Sequence, residues 1–473
     1  MNYKGTLFYL GVYSLFVTII SFVNILYSIY FNSYLDINAY IVSMVVSLGL
    51  GLTFYFIGKK EAKNISLSDQ VLLILLTFIF IPFLISIPFF LSENNISFLD
   101  SYFESISGFT ATGFTAINHL DELDEPMLLW RSTSQWLGGL IFLISIIGTL
   151  GSKKIKFKPI YFFLDSYNGG NFFNNFFSNF IKILIIYSVS TLIIIFLYTL
   201  VDLRFFDSFN LAFTTISGGG FLPKNELSSI INSDLKILIL SFTLLIPILN
   251  FYLFYKIITN QFKFSDHFED FHLIVIIFLT ILLMYFLIIP NEGFLNIFLM
   301  IVSCISTSGI SLHSSELDLS ILLIILTIVG GSAISTSSGI KYVRLYILAK
   351  LSYQEIYKLV KPINVLNRNL FNTSIKISDE DFKISFFIFI FFISGAFLLT
   401  GILTLDYVNF EDAFKISLLT LTNTVSSGMF GIANFNFNDL QIISKSSLII
   451  FMILGKIEII AIFLLIKKIF FRE

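Results

Sequence analysis

Four short tracts of small residues recur along the chain, and each follows a brief apolar stretch at a similar spacing. In the first three copies, the tract ends in a glycine that lies thirteen residues after an Asp or Asn. These pairs are Asp100 with Gly113, Asp207 with Gly220, and Asn296 with Gly309. The fourth copy starts at Asp412, but its register and its closing residue both slip, so that Ser426 or Gly428 is expected at the closing position.

The residue types in these tracts suit the coordination of a monovalent cation. Main-chain carbonyl groups can replace the hydration shell of such an ion, and Ser and Thr hydroxyls add oxygen ligands. Glycine permits backbone angles that a Cβ atom would forbid, and the C-terminal end of each preceding helix carries partial negative charge that favours a cation. No carboxylate occurs in the tracts, which argues against a divalent-cation site.

We therefore predict a cation filter, and close helix packing through small residues is the alternative interpretation. The predicted filter residues are Thr110, Ala111, Thr112, Gly113, Ser217, Gly218, Gly219, Gly220, Ser306, Thr307, Ser308, Gly309, Asn423, Thr424, Val425 and Ser426.

The composition is that of an integral membrane protein. Of the 473 residues, 56% are hydrophobic and only 13% are charged, whereas a soluble domain carries about 25% charged residues. The net charge of −2 indicates no particular partner, and nothing in the sequence suggests binding to nucleic acid. The single cysteine, Cys304, excludes an internal disulfide and a cysteine-based metal site.

Hydropathy predicts ten membrane-spanning segments. They are placed at 6–31, 37–58, 68–92, 127–150, 176–200, 235–257, 270–290, 319–349, 384–404 and 445–467. The four tracts lie between the third and fourth, fifth and sixth, seventh and eighth, and ninth and tenth spans. Each tract with its apolar stretch is too short to cross a bilayer, so it is expected to enter and leave on one side as a pore loop.

The expected fold is an all-α polytopic membrane protein of about ten transmembrane helices, with four pseudo-repeated helix–pore-loop–helix units around a central pore. The predicted units are two N-terminal helices in 1–64, pore unit 1 in 65–160, pore unit 2 in 161–262, pore unit 3 with a broken helix and a cytoplasmic connector in 263–382, and pore unit 4 in 383–473.

The distribution of charge predicts the orientation of these units. One set of connections is rich in Lys and Arg, at 59–63, 153–158, 256–263, 350–376 and 467–472. The opposite set is acidic or neutral, at 121–125 and 316–318. The positive-inside rule therefore places both termini in the cytoplasm and all four tracts on the outer side.

Two features within the spans are unusual for lipid-facing helices. Small polar residues at 332–339 interrupt the eighth span and predict a segment without regular helix. Lys456 and Glu458 lie deep in the last span, and charges there usually face a protein interior or a water-filled path. We expect Lys456 to face the permeation path, with a structural salt bridge as the alternative. Arg131 and Lys341 lie nearer span ends, where snorkelling or packing explains them about as well as a functional role does.

Five segments carry a resemblance to a known family. They are residues 103–113, 130–132, 135–139, 330–341 and 454–459. In these segments the chain resembles the Trk/Ktr/HKT superfamily of potassium transporters, and its two extra leading helices resemble those of the TrkH-type membrane subunit. Two departures stand out. The family usually has glycine where Ser426 lies, and it usually has arginine where this chain has Lys456, which lacks the planar guanidinium fork.

The resemblance implies a channel-like, ion-translocating subunit for potassium uptake in the cytoplasmic (inner) membrane of a bacterium. It implies an intramembrane gate that comprises Ser335, Thr336, Ser337, Ser338, Gly339 and Lys456. It also implies a homodimer and a peripheral, nucleotide-binding regulatory subunit of the TrkA type. Because the sequence contains no Walker or Rossmann glycine pattern, this chain itself is expected to bind no nucleotide, and K⁺ at the filter is the only metal ion expected.

Other functions remain open at this stage. A sodium- or proton-coupled K⁺ symporter would be expected to show inverted repeats, whereas these repeats share one orientation. A sodium-selective relative is harder to exclude, although the first filter glycine, Gly113, is present. The sequence offers no arrangement of residues for an enzyme, and its four histidines are dispersed without metal-ligand spacing.

Overall fold

A computed structural model describes residues 2–62, 65–117, 120–150, 176–260, 262, 264, 267–290, 292–312, 319–361, 367–371, 373, 375–432 and 435–457. Within these ranges the chain forms sixteen α-helices. They are α1 (Tyr3–Tyr30), α2 (Ile37–Gly58), α3 (Leu67–Leu91), α4 (Phe98–Phe109), α5 (Glu125–Leu150), α6 (Phe176–Leu200), α7 (Phe205–Ser217), α8 (Asp234–Thr243), α9 (Phe251–Ile258), α10 (Phe268–Leu283), α11 (Phe294–Ile305), α12 (Ser320–Val329), α13 (Tyr342–Val360), α14 (Asp379–Leu405), α15 (Phe410–Thr422) and α16 (Ile442–Lys456).

The predicted all-α membrane fold is confirmed. Among the described residues, six helices are long and apolar enough to cross a membrane, namely α1, α2, α3, α6, α14 and α10 with the π-helical turn Met284–Ile288 that extends it. The helices α4, α7, α11 and α15 have only 12 or 13 residues. At 1.5 Å per residue, each is about 20 Å long and too short for a bilayer core of about 30 Å.

Two predicted spans are broken. The span predicted as continuous over 235–257 is divided into α8 and α9, because the chain leaves the helix at 244–250. Pro247 lies in this break, and proline has no N–H to continue a helical ladder. The span over 319–349 is divided into α12 and α13 by residues 330–341, as the small polar residues at 332–339 predicted. The segment of the last predicted span beyond residue 457, including Glu458, lies outside the described residues.

Side-chain caps fix where several helices begin. Ser66 and Asp69 form a reciprocal capping box at the start of α3, and Ser378 and Asp381 form another at the start of α14. Such caps satisfy N–H groups that the first helical turn leaves without partners. The short helix α4 starts at Ser97, whose hydroxyl oxygen accepts the Asp100 N–H at 3.2 Å.

The two leading helices pack through small residues. A Cβ atom built on Gly58 of α2 would lie 2.2 Å from the carbonyl oxygen of Lys4, and one on Gly11 would lie 2.7 Å from that of Gly51. Hydroxyl groups bridge the same interface, where Thr18 and Ser47 lie 2.9 Å apart. In a membrane, close packing and interhelical hydrogen bonds hold helices together because lipid offers no hydrophobic driving force.

The last helix, α16, contacts the first short helix, α4. Lys445 of α16 contacts Asp100 of α4 with 2.5 Å between Nζ and Oδ1, and its side chain is 8% exposed. This ion pair joins residues 345 positions apart and brings the fourth predicted unit against the first.

Two carboxyl groups lie where α2 and α5 begin, of which Asp36 is buried and Asp124 is partly buried. Asp36 accepts the Glu93 N–H at 3.0 Å, and Asp124 accepts the Met127 N–H at 3.2 Å. Burial, with a smaller contribution from the nearby charge of Asp36, raises the pKa of Asp124 from its usual 3.8 to about 6. A raised carboxyl pKa means that the folded protein binds more protons than the unfolded chain between about pH 4 and 6, so stability falls as the pH rises through that window.

Asp124→Asn should therefore stabilise the purified protein at neutral pH, because the amide keeps the cap on Met127 without a buried charge. We expect the melting temperature at pH 7.5 to rise by about 1–2 °C and that at pH 4.5 to change less. Asp121→Asn, at an exposed position, is the matched control. It should leave the difference between the melting temperatures at pH 7.5 and pH 4.5 the same as in the wild type. If Asp124→Asn changes the melting temperature equally at both pH values, the raised pKa of Asp124 is contradicted.

Candidate functional site

Each of the four short helices is followed, within two residues of its end, by a residue with a left-handed backbone conformation. This residue lies eleven positions after the leading Asp or Asn of each tract. The four are Ala111, Gly218, Thr307 and Asn423, with φ of 58°, 70°, 60° and 49°. Only glycine adopts this region freely, so three of the four positions hold a conformation that is costly for their residue type.

In each tract, the residue after the left-handed one forms a hydrogen bond back to the short helix. The N–H groups of Thr112, Gly219 and Thr424 each donate at 2.9 Å to the carbonyl group five residues earlier. In the third tract the Ser308 hydroxyl donates to the corresponding carbonyl of Ser303 at 3.3 Å. The four tracts are thus in one register. The expected slip in the fourth tract does not occur, and Val425, rather than Ser426 or Gly428, lies thirteen residues after Asp412.

The four tracts meet at one place. A Cβ atom built on Gly113 would lie 3.0 Å from Cβ of Val425 and 3.3 Å from Cα of Gly220. One built on Gly220 would lie 2.6 Å from the carbonyl oxygen of Ser308, and one on Gly309 would lie 2.8 Å from that of Val425. Residues of all four predicted units therefore come within contact distance, and main-chain oxygens lie among them.

Hydroxyl groups of the tracts support the turns. Thr110 donates to the Ile106 carbonyl at 2.7 Å, and Ser217 donates to the Thr214 carbonyl at 2.9 Å. Across the site, Asn423 donates through Nδ2 to the Thr112 hydroxyl at 2.9 Å and to the Met452 carbonyl at 2.9 Å. These hydrogen bonds hold the turns at the ends of the short helices.

A buried ion pair lies behind the first and second tracts. Arg131 and Glu104 are 1% and 0% exposed, and Nε of Arg131 lies 2.8 Å from Oε1 of Glu104. Glu104 also accepts the Ala116 N–H at 2.9 Å, and the Arg131 guanidinium lies 4.1 Å from the centre of the Phe221 ring. The pair therefore joins the exits of two tracts. Arg131 does not snorkel to an interface, and no sequence spacing links it to Glu104, because α4 and α5 meet only in the tertiary structure.

The two helix breaks supply each other's hydrogen bonds. Ser332 and Ser337 donate their N–H groups to the carbonyls of Ile248 at 2.9 Å and Pro247 at 3.2 Å, and Phe251 donates to Ile334 at 2.8 Å. Both breaks lie in the protein interior, where an unpaired peptide group is costly. The break in unit 2 is thus the hydrogen-bonding partner of the break in unit 3. Only the break in unit 3 was predicted from the sequence.

Two acidic residues at the start of α10 fix both breaks. Glu269 accepts the Ala333 N–H at 3.0 Å, and Asp270 accepts the Asn250 N–H at 2.9 Å. His267 lies 3.2 Å from Asp270 and orients its second oxygen. All three side chains are buried.

Residues 335–338 lie directly against the tracts. The Thr336 hydroxyl donates to the carbonyl of Ile216, at the end of α7, at 2.8 Å. The Ser338 N–H donates to the hydroxyl of Thr307 at 2.9 Å. The segment predicted as the gate therefore contacts the second and third tracts.

Two buried lysines hold this segment. Lys456 donates to the Ser338 hydroxyl at 3.0 Å and to the Thr336 carbonyl at 3.3 Å. Lys341 donates to the carbonyls of Ser335 and Ser337 at 3.1 and 2.6 Å. Lys341 is 3% exposed, so the snorkelling interpretation was wrong. Its place directly after the run of small residues was the signal that could have identified it.

The ring of Phe142 lies beside both ammonium groups. Its centroid is 4.6 Å from Nζ of Lys456 and 5.6 Å from Nζ of Lys341. An aromatic face attracts a cation, which offsets part of the cost of burial. Among the described residues, no group of three or more His, Cys, Asp or Glu side chains is arranged to hold a metal ion. His119 and His313 lie outside these residues.

Glu104→Gln should strongly destabilise the protein, because it leaves the buried Arg131 charge without its partner. We expect a loss of about 3–5 kcal/mol in the free energy of unfolding, measured by denaturation of the purified protein in detergent. The exposed pair of Arg204 and Glu125 provides the control, and Arg204→Gln should cost less than about 1 kcal/mol. The double variant Glu104→Gln/Arg131→Met should recover part of the loss. Equal losses in Glu104→Gln and Arg204→Gln would contradict the proposed importance of the buried pair.

Known transporters are similar to this chain over nearly its whole length. No protein-family profile matches it. An uncharacterized cation transporter of Methanocaldococcus jannaschii is 26% identical over 478 residues, which cover 99% of this chain and 96% of that protein. The Trk system potassium uptake protein TrkH of Escherichia coli K12 is 25% identical over 459 residues, 92% of each chain. TrkG of the same organism is 26% identical over 454 residues.

The fold is shared with a solved structure. The crystal structure of the potassium transporter TrkH from Vibrio parahaemolyticus superposes with a TM-score of 0.86, covers 98% of each chain and is 23% identical. These likenesses extend over all four repeats and both leading helices, and the proteins named in them are transporters rather than enzymes. In its motifs, its fold and its relatives, the chain is similar to the TrkH-type membrane proteins of the Trk/Ktr/HKT superfamily.

Proposed function

We propose that the chain is the ion-translocating, channel-like subunit of a Trk-type potassium uptake system. The observation that carries this proposal is the meeting of four tracts in one register, one from each repeat. A monovalent cation that enters among them can exchange its water ligands for main-chain oxygens. The printed names of the relatives from Escherichia coli and Vibrio parahaemolyticus support K⁺ as the transported ion.

The tracts act as the selectivity filter in this proposal. The predicted residues of each tract line the path, and the C-terminal ends of α4, α7, α11 and α15 supply partial negative charge to it. Gly113 has φ of +85°, a conformation that residues with a side chain rarely adopt. The tract geometry therefore depends on glycine at this position.

Residues 335–339 and Lys456 act as the gate, and the structure leads us to add Lys341. The segment lies against the second and third tracts, so it obstructs the path on the side opposite the outer mouth. Its hydrogen bonds to two lysines hold it in place. Movement of the segment requires these bonds to break, which makes the lysines a point at which regulation can act.

The wider organisation follows the sequence analysis. We propose the two N-terminal helices and the four pore units with the boundaries given there, both termini in the cytoplasm, and the inner membrane as the location. A homodimer and a TrkA-type nucleotide-binding regulatory subunit complete the proposed system, and this chain binds no nucleotide itself.

Growth of a potassium-uptake-deficient bacterium tests the proposal directly. Expression of the chain should restore growth at micromolar K⁺ and drive uptake of K⁺ both with and without Na⁺. Rescue that requires Na⁺, or that disappears when the proton gradient is removed at constant membrane potential, would favour a coupled symporter. Failure to rescue at any K⁺ concentration, with the protein present in the membrane, would overturn the proposed function.

Gly113→Ala should reduce K⁺ uptake at least about tenfold, because the added Cβ meets Val425 and because alanine disfavours φ of +85°. Initial uptake rates in the rescued strain provide the measurement. Gly49→Ala is the control, since a Cβ atom at Gly49 meets nothing within 4 Å. Normal uptake by Gly113→Ala would show that this glycine does not belong to the filter.

Lys456→Met should increase K⁺ uptake in cells that lack the regulatory subunit, because it removes two bonds that hold the gate while it keeps the volume of the side chain. We expect a rise of about tenfold or more, because one hydrogen bond to a charged group contributes about 1.5–3 kcal/mol and about 1.4 kcal/mol corresponds to a factor of ten. Lys358→Met, on the exposed side of α13, is the matched control. If Lys456→Met leaves uptake unchanged and Gly113→Ala abolishes it, the gate assignment is wrong and the filter assignment stands.

A further inference from the structure

The fourth tract differs from the other three at the position where they have glycine. Because all four tracts share one register, Val425 is the counterpart of Gly113, Gly220 and Gly309. Three tracts present bare backbone at this level, and the fourth presents a branched side chain. The register of the fourth tract is fixed on both sides of the turn, by Asn423 through its two side-chain bonds and by the bond from Thr424 to Leu419.

The Val425 side chain lies against all three glycines. A Cβ atom built on Gly113 would lie 3.0 Å from Cβ of Val425, and one built on Gly220 would lie 2.6 Å from it. One built on Gly309 would lie 2.9 Å from Cγ1 of Val425. A side chain of one unit can approach the corresponding glycines of the three other units only where the units face one another, which is at their shared axis.

The exposure of the residues agrees with this position. Val425 is partly exposed, although Gly113, Gly220 and Gly309 are buried. Ser426, Ser427 and Gly428, which follow it, are also partly exposed. Val425 is therefore accessible to solvent in part, and it is not packed fully into the body of the protein.

We propose that Val425 is a specificity-determining residue, whose isopropyl group narrows the filter at the level of the three glycines. This inference rests on the proposed function, because it assigns a role within that filter. A β-branched side chain has few rotamers and cannot easily swing aside. Its methyl groups offer no oxygen ligand, so an ion loses coordination on one side while it passes. The constriction limits the rate of transport and excludes larger monovalent cations more strongly than K⁺.

Val425→Gly should widen the filter by completing a set of four glycines. Uptake of K⁺, Rb⁺ and Cs⁺ is measured in the same potassium-uptake-deficient strain, at equal amounts of protein in the membrane. We expect faster K⁺ uptake and a ratio of Cs⁺ to K⁺ uptake that rises at least about threefold, because a wider site favours the larger ion. A merely structural role of Val425 would lower all three rates together and leave their ratio unchanged.

Two further variants separate size from chemistry and keep the test independent of folding. Val425→Thr keeps the volume and should retain the wild-type ratio, whereas Val425→Ala should give a ratio between those of valine and glycine. Val360→Gly, at a position 74% exposed in α13, is the control for the substitution itself. If Val425→Gly and Val425→Ala transport K⁺ with the wild-type ratio, the inference is wrong and the proposed function stands. If neither wild type nor these variants transport K⁺, the proposed function itself fails.

Discussion

Peptide groups in a bilayer have no water to bind, so every carbonyl and N–H group at membrane depth must find its partner within the protein. This constraint governs the non-helical segments of the chain. Four short helices stop partway and turn through left-handed residues, and each turn returns a hydrogen bond to the helix that precedes it. Two further helices break, and the breaks bond to each other. Main-chain carbonyl oxygens, among them those of Ser308 and Val425, lie where the four tracts meet.

The buried charges follow the same logic. Glu104 and Arg131 hold the loops that leave two tracts, and Glu269 and Asp270 hold the two helix breaks. Lys341 and Lys456 donate to the carbonyls of the segment below. Asp270, Lys456 and Arg131 act across boundaries between predicted units. Glu269 and Lys341 bind peptide groups within unit 3. Asp270 and Lys456 therefore join unit 3 to units 2 and 4, and the 335–338 segment contacts residues of both of those units.

Much of this arrangement could be predicted from the sequence. The apolar runs predicted the all-α membrane fold, and the breaking of the eighth span followed from the small polar residues at 332–339. The break at 244–250 was missed because a single proline in an apolar run, Pro247, gives a weak local signal. Lys341 was interpreted from its place near the end of the eighth span, whereas its ammonium group donates to the carbonyls of Ser335 and Ser337.

The register of the fourth tract shows the limit of pattern alone. Matching glycine to glycine suggested a slip toward Ser426 or Gly428, because the residue type was the only guide. The backbone decides otherwise, since the left-handed turn at Asn423 and the bond from Thr424 are set by the short helix before them. Val425 is therefore the counterpart of Gly113, Gly220 and Gly309, although its side chain differs from theirs.

The sequence by itself determined the membrane environment, the fourfold repeat and the residue types that can bind a cation. These are local properties, since hydropathy, spacing and the conformational freedom of glycine act within a few residues. Only the tertiary structure decided which tract positions face one another, which charges pair, and which break meets which. Those contacts join residues separated by up to several hundred positions, and their energies depend on distances that no local pattern encodes.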